Sequence, residues 1–135
     1  MTAKLNWLGI IVATVVAFFI GFLWYVVLFG GLWQALSGVG AEEGDPMLML
    51  LGLVQTFVTM VGLGWFIARD GAAGWMAGLK IGLAAGVCFA LMTSAYGFIY
   101  QISPMGLLPI DWSHLLVVYA VGGALIGGLR LKPRA

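Results

Sequence analysis

The sequence predicts an all-α membrane protein in which four transmembrane helices form a compact bundle with both termini cytoplasmic. Three observations carry that expectation. First, 63% of the 135 residues are hydrophobic and 8% are charged, against ~25% charged in an average soluble domain. With a mean hydropathy of +1.11, a soluble fold of this size has more apolar surface than it can bury. Second, apolar runs near the ~20 residues needed to cross a bilayer recur at 5–29, 47–67, 75–100 and 112–129. Third, with four spans all six basic residues (Lys4, Arg69, Lys80, Arg130, Lys132 and Arg134) fall on the side that holds both termini, while Glu42, Glu43, Asp45 and Asp111 fall on the other. Lysine and arginine mark the cytoplasmic face.

The first span opens with Lys4 and the pair Asn6-Trp7 at interface depth. Lys4 before an apolar run imitates a signal peptide, but the run is longer than the ~7–15 residues of a signal core, so it is expected to be a retained helix. Its small residues Gly9, Ala13, Ala17 and Gly21 recur every fourth position and stack on one face, which lets a second helix come close. The connector that follows carries Leu32 to Leu36, a segment suited to one or two amphipathic turns on the surface. Asp45-Pro46 reads as an N-cap with proline at the first helical position, a start signal for the second span. Arg69-Asp70-Gly71 is a turn short enough to make the second and third spans antiparallel neighbours.

In the third span Gly74, Gly78, Gly82 and Gly86 form another small-residue face, and Lys80 points away from it at ~100° per residue. Lys80 is expected to snorkel to headgroups, and Cys88 to pack as a small hydrophobe. Residues 101–111 carry two prolines among apolar side chains and are expected in the headgroup region, with Asp111 capping the last span. Aromatic residues agree with this layout. Trp7, Trp65 and Trp75 fall at cytoplasmic depth, and Trp24, Tyr25, Trp33, Tyr96, Tyr100 and Trp112 at outer depth.

Asn6-Trp7 followed by an apolar helix ending in Leu23-Trp24-Tyr25 and Leu28-Phe29-Gly30, then Trp33, resembles the start of the bacterial membrane family called domain of unknown function 1761. A His-Leu-Leu segment at His114 ahead of a small-residue run closing near Gly127 is similar as well. In that family the Trp-Tyr pair is typically followed by Ser-Pro and the Phe-Gly pair by Lys, where this chain has Val26-Val27 and Gly31. The resemblance implies a four-span protein of the bacterial inner membrane and brings no reaction with it.

Function is narrowed mainly by exclusion. A net charge of +1 without a basic patch excludes nucleic-acid binding. One histidine and one cysteine on different helices do not make a metal site, no cofactor motif is present, and no nucleophile–base pair is apparent, so no enzyme activity is expected. His114 is expected to be a solvated interfacial side chain. The second span is more informative, because Gly52, Gln55, Thr56, Thr59 and Gly62 share about a third of its circumference near mid-membrane depth. An amide there needs a partner, so this face is expected to turn inward and bond another helix. Thr93, Tyr96 and Tyr100, on the glycine face of the third span, would extend a polar path from it. The expectation is an accessory or structural membrane protein that forms a homo-oligomer or joins a larger complex through its small-residue faces. The alternative is a small-solute transporter or channel with a polar path near Gln55.

Overall fold

The computed structural model describes residues 4–38, 45–71 and 73–129. Glu42, Glu43, Arg130, Lys132 and Arg134, which carry much of the expected orientation, lie outside the described residues. Helix α1 (Trp7–Phe22) continues into a π-helical turn (Leu23–Leu28), and α2 (Gly30–Ser37) and α3 (Pro46–Asp70) follow. Helix α4 (Trp75–Ala85) passes through a second π-helical segment (Gly86–Leu91) into α5 (Met92–Ile99), and a 3-10 turn (Met105–Leu107) leads into α6 (Leu108–Gly128). Four stretches are long and apolar enough to cross a membrane: Trp7–Leu28, Pro46–Asp70, Trp75–Ile99 and Met105–Gly128.

Local chemistry accounts for most of the helix ends. The Asn6 side chain accepts from the Gly9 N–H at 3.1 Å and starts α1. Asp45 accepts from the Met47 N–H at 2.9 Å, with Pro46 where no donor is needed, and starts α3. Gly71 ends α3 at φ +72°, a conformation in which a Cβ is strained. The last helix departs from expectation. It begins at Leu108 rather than Trp112, because Pro109 sits in the first turn, where its missing N–H has no helical partner to lose. Asp111 therefore lies inside the first turn and caps nothing.

Helix α6 sits at the centre, with α1, α3 and α4 packed on it. It can touch three helices because it offers three different surfaces. Gly123 and Gly127 meet the backbone of α4 at Gly78, Gly122 meets the Met60 side chain of α3, and Ile126 meets Gly9 of α1. The core is the layer between them, with Ile10, Ala13, Met60, Leu63, Ile67 and Ile126 all enclosed. Gly78 and Gly82 of the third span lie directly against the Gly123 and Tyr119 carbonyls of α6, and Gly86 lies against the Tyr119 side chain. Gly74 is not in that helix. It precedes α4 at φ +100°, and its N–H donates to the Gly127 carbonyl at 3.2 Å.

The π-helical segment after Ala85 corrects the reading of the third span's C-terminal half. A π turn holds one more residue than an α turn, so every later side chain is rotated by one position. The inward face runs Gly78, Gly82, Gly86 and then Leu91 and Phe98, both buried. Thr93, Tyr96 and Tyr100 turn outward instead, and the two tyrosine rings stack on each other at 6.1 Å on the exposed surface. Cys88, within the same segment, is exposed rather than packed. Lys80 is exposed on the side away from Gly78 and Gly82.

Candidate functional site

Helix α3 packs most closely on the rest of the protein with its C-terminal half. Its buried residues, Met60, Leu63, Gly64, Ile67 and Ala68, all lie there, and Gly64 lets Ile10 of α1 approach. From Met47 to Val58 its large apolar side chains are exposed. Two clefts lie beside α3. One, of ≈360 Å³, lies between α3, α1 and α6 and is lined by Phe18, Gly21, Gln55, Thr56, Thr59 and His114 among others. The other, of ≈280 Å³, lies toward α4 and the second π-helical segment and shares Thr59 and Tyr119 with the first.

The polar face of α3 thus lines a cleft, but it does not bond another helix as expected. The Thr56 hydroxyl donates to its own helix at the Gly52 carbonyl, 2.8 Å, and the Thr59 hydroxyl donates to the Gln55 carbonyl, 2.9 Å. The Gln55 amide is exposed and reaches only Thr59 Oγ1, at 3.5 Å, near the limit of a useful bond. Such i−4 back-bonding satisfies a hydroxyl donor locally, which is how threonine is tolerated in an apolar helix, and it bends helices slightly. Among the described residues no cross-helix partner reaches these groups, because the cleft lies between them and the polar side chains of α6.

At Tyr25 and His114 the larger cleft adjoins the π-helical turn of α1 and the first turns of α6. The wider turn at Leu23–Leu28 brings both Trp24 and Tyr25 toward α6. Trp24 Nε1 donates to Ser113 Oγ at 3.1 Å, and the Tyr25 hydroxyl donates to Asp111 Oδ1 at 2.8 Å. Ser113 is engaged further, donating to the Ile110 carbonyl at 3.0 Å. Trp33 of α2 packs edge-on against the Tyr25 ring at 5.7 Å, and Leu36 of α2 lies over Gly106. The Trp24 ring also lies 6.0 Å from Phe29, which precedes Gly30, and the Gly30 backbone is buried against the Tyr25 carbonyl.

His114 is not the solvated side chain expected. Its ring lies edge-on to Tyr25 at 4.9 Å and near Trp24 at 6.4 Å, and its Nε2 is buried without a hydrogen-bond partner, facing Gly21. Gly21 leaves room for the imidazole, and Ala17 and Ala13 below it are buried. The Ser94 hydroxyl donates to the Leu91 carbonyl of its own helix at 2.9 Å.

At the other end of the same helix pair, Asn6 Nδ2 donates to the Ile126 carbonyl at 2.8 Å. One small amide therefore caps α1 and ties it to α6. Asn6→Leu is expected to lower stability by about 1 kcal/mol, the usual worth of a hydrogen bond between membrane helices, as read in a detergent unfolding titration. An unchanged midpoint would remove this tie from the account. Trp7, beside it, is exposed.

The sequence reading missed Asp111 as the partner of Tyr25 and Ser113 as the partner of Trp24. A signal was available, since Asp111, His114 and Val118 share the α6 face that continues to Gly122. Among the described residues no group of three His, Cys, Asp or Glu side chains could hold a metal ion.

The model of the family described as "Protein of unknown function (DUF1761)" matches residues 8–127. The chain belongs to that family. No curated protein matches the chain, and no solved structure does.

Proposed function

We propose that this family member is a multi-pass protein of the bacterial inner membrane, with both termini cytoplasmic, that binds a small membrane-soluble molecule in the cleft between α1, α3 and α6. One observation carries the reading. Gln55 sits in the middle of a long apolar helix, makes no cross-helix bond among the described residues, and with Thr56 and Thr59 lines a cleft of ≈360 Å³. A side-chain amide in an apolar solvent is costly unless something meets it, and a cleft of this size falls within the ≈300–1,000 Å³ typical of ligand sites. The exposed surface around it is made of large apolar side chains, as a lipid-facing surface requires.

Two observations weigh the other readings. Self-association was expected to use the small-residue faces, and Gly78, Gly82, Gly86 and Gly9 are occupied by α6 of the same chain. Transport of a charged solute calls for ionisable groups along a path, and among the described residues the cleft lining offers an imidazole and two tyrosines but no carboxylate or ammonium. An amide, threonine and tyrosine hydroxyls and an imidazole in an apolar cleft suit a binding protein more than an enzyme.

Gln55→Leu tests this reading. The variant is expected to fold with a stability change of about 1 kcal/mol or less, because Gln55 has no cross-helix partner to strand. Native mass spectrometry of protein from its own membranes should find a small-molecule adduct that the variant loses. An adduct retained in full by Gln55→Leu would contradict the reading. Orientation is tested by labelling intact cells in a Cys88→Ala background. Ser37→Cys should react with an impermeant maleimide from outside and Lys132→Cys should not, and the reverse pattern would overturn the assignment.

A further inference from the structure

The hydrogen-bonding character of the cleft, rather than its size, selects the occupant. Thr56 and Thr59 have given their hydroxyl protons to backbone carbonyls of their own helix. What they turn to the cleft is lone pairs, since a hydroxyl has one proton to donate and two sites to accept. The Gln55 amide adds a carbonyl oxygen, and one proton of its NH₂ leans on Thr59. This α3 face therefore presents acceptors in excess of donors, while α6 adds the Tyr119 hydroxyl and the His114 imidazole to the lining. Among the described residues no lysine or arginine lines the cleft, so a phosphate head would enter without a counter-charge from them in a medium of low dielectric. No carboxylate among the described residues lines it either. Asp111 lies beyond Tyr25 and accepts that hydroxyl, so an ammonium head is equally unsupported.

Resting on the reading of the cleft as a binding site, we propose that its occupant is an uncharged lipid that enters with a free hydroxyl group and donates it to the acceptors of the Gln55, Thr56 and Thr59 face. The apolar remainder of the lining, including Phe18, Phe22 and Met49, holds the first part of the chain, and the open side lets the rest continue into the bilayer. A quinone, whose oxygens only accept, leaves the acceptors of the α3 face unmet, and a phosphoanionic lipid finds no counter-charge there. A diacylglycerol and a polyprenol share the required chemistry and differ in the number of chains.

The test is a titration of the full-length protein in detergent, followed by native mass spectrometry. The probes are dioleoylglycerol, its 3-O-methyl ether, a polyprenol, ubiquinone and dioleoyl phosphatidic acid. Dioleoylglycerol or the polyprenol is expected to bind at least about tenfold more tightly than the ether, ubiquinone or phosphatidic acid, since losing the donor strands paired acceptors. Whichever alcohol binds better names the source. Thr56→Val combined with Thr59→Val should bring the preferred alcohol down to the affinity of the ether while leaving the circular dichroism unchanged.

Gly52→Phe separates the two levels of the argument. Gly52 lines the cleft, and a Cβ added there meets only Phe18 Cε2 at 3.9 Å, so a larger side chain enters the cleft without striking backbone. If the ether, ubiquinone or phosphatidic acid binds as well as the alcohols and Gly52→Phe abolishes that binding, the ligand class is overturned and the cleft reading stands. If Gly52→Phe leaves all lipid binding unchanged, or no probe binds, the cleft reading falls with it.

Discussion

Gly82→Leu should prevent most of the protein from reaching its folded state. A Cβ at Gly82 would strike the Tyr119 carbonyl of α6 and lie 3.3 Å from the Gly123 Cα, and neither is a flexible side-chain end that can move aside. Relief requires α4 to move off α6, the helix on which α1 and α3 also pack. Overpacking a close interface costs about 1–3 kcal/mol when side chains can adjust, and here the obstacle is backbone, so ~3 kcal/mol or more is expected. The control is Gly62→Leu on α3, where an added Cβ meets nothing within 4 Å. Yield and the midpoint of a detergent unfolding titration should collapse for the first variant and hold for the second. Equal behaviour would show that α4 and α6 are not in backbone contact.

Tyr25→Phe is expected to destabilise the packing between the C-terminal end of the first span and the first turns of α6 by about 1.5–3 kcal/mol, the range for a hydrogen bond to a charged group. The hydroxyl donates to Asp111 Oδ1 at 2.8 Å, and without it a partly buried carboxylate loses its donor. Most of the loss is this stranded group rather than the bond itself. The double variant Tyr25→Phe with Asp111→Leu should therefore be more stable than Tyr25→Phe alone, with a coupling of about 1–2 kcal/mol in a double-mutant cycle. Additive losses would mean that the two side chains do not meet in the membrane.

Much of this architecture is legible in the sequence because it follows from spacing. Four apolar runs, the Asp45-Pro46 start and the Gly71 stop depend on residues within one or two turns of each other. The glycine spacing of the third span identifies the face that meets another backbone, although its partner, the Gly123 and Gly127 surface of α6, depends on tertiary packing. What spacing could not give is the π-helical register. Nothing in Gly86–Leu91 marks an extra residue in the turn, and a regular helix would have put Thr93 and Tyr96 inward. Asp111 was misread for a related reason, since Pro109 reads equally as a loop residue or as a first-turn residue.

The site was legible in parts. The polar stripe of Gln55, Thr56 and Thr59 is visible from composition and period, but its environment is not. Whether such a stripe bonds a neighbour or faces an opening depends on how far α3 stands from α1 and α6, and that is set by packing at Met60 to Ala68, further along the helix. The family-like residues Asn6, Trp24, Tyr25 and His114 look scattered in sequence. In space they join the two ends of α1 to α6, through Ile126 at one end and Asp111 and Ser113 at the other.

The α3 face of the cleft is expected to hold a selected molecule rather than bulk lipid. A photo-reactive benzoylphenylalanine placed at Phe18, which lines the cleft opposite that face, and separately at the exposed position Leu51, followed by irradiation of native membranes and mass analysis of the adducts, distinguishes the two. Phe18 is expected to yield one small-molecule species strongly enriched over the lipid mixture captured at Leu51. The same mixture at both positions, or cross-links at Phe18 only to residues of the chain itself, would contradict it.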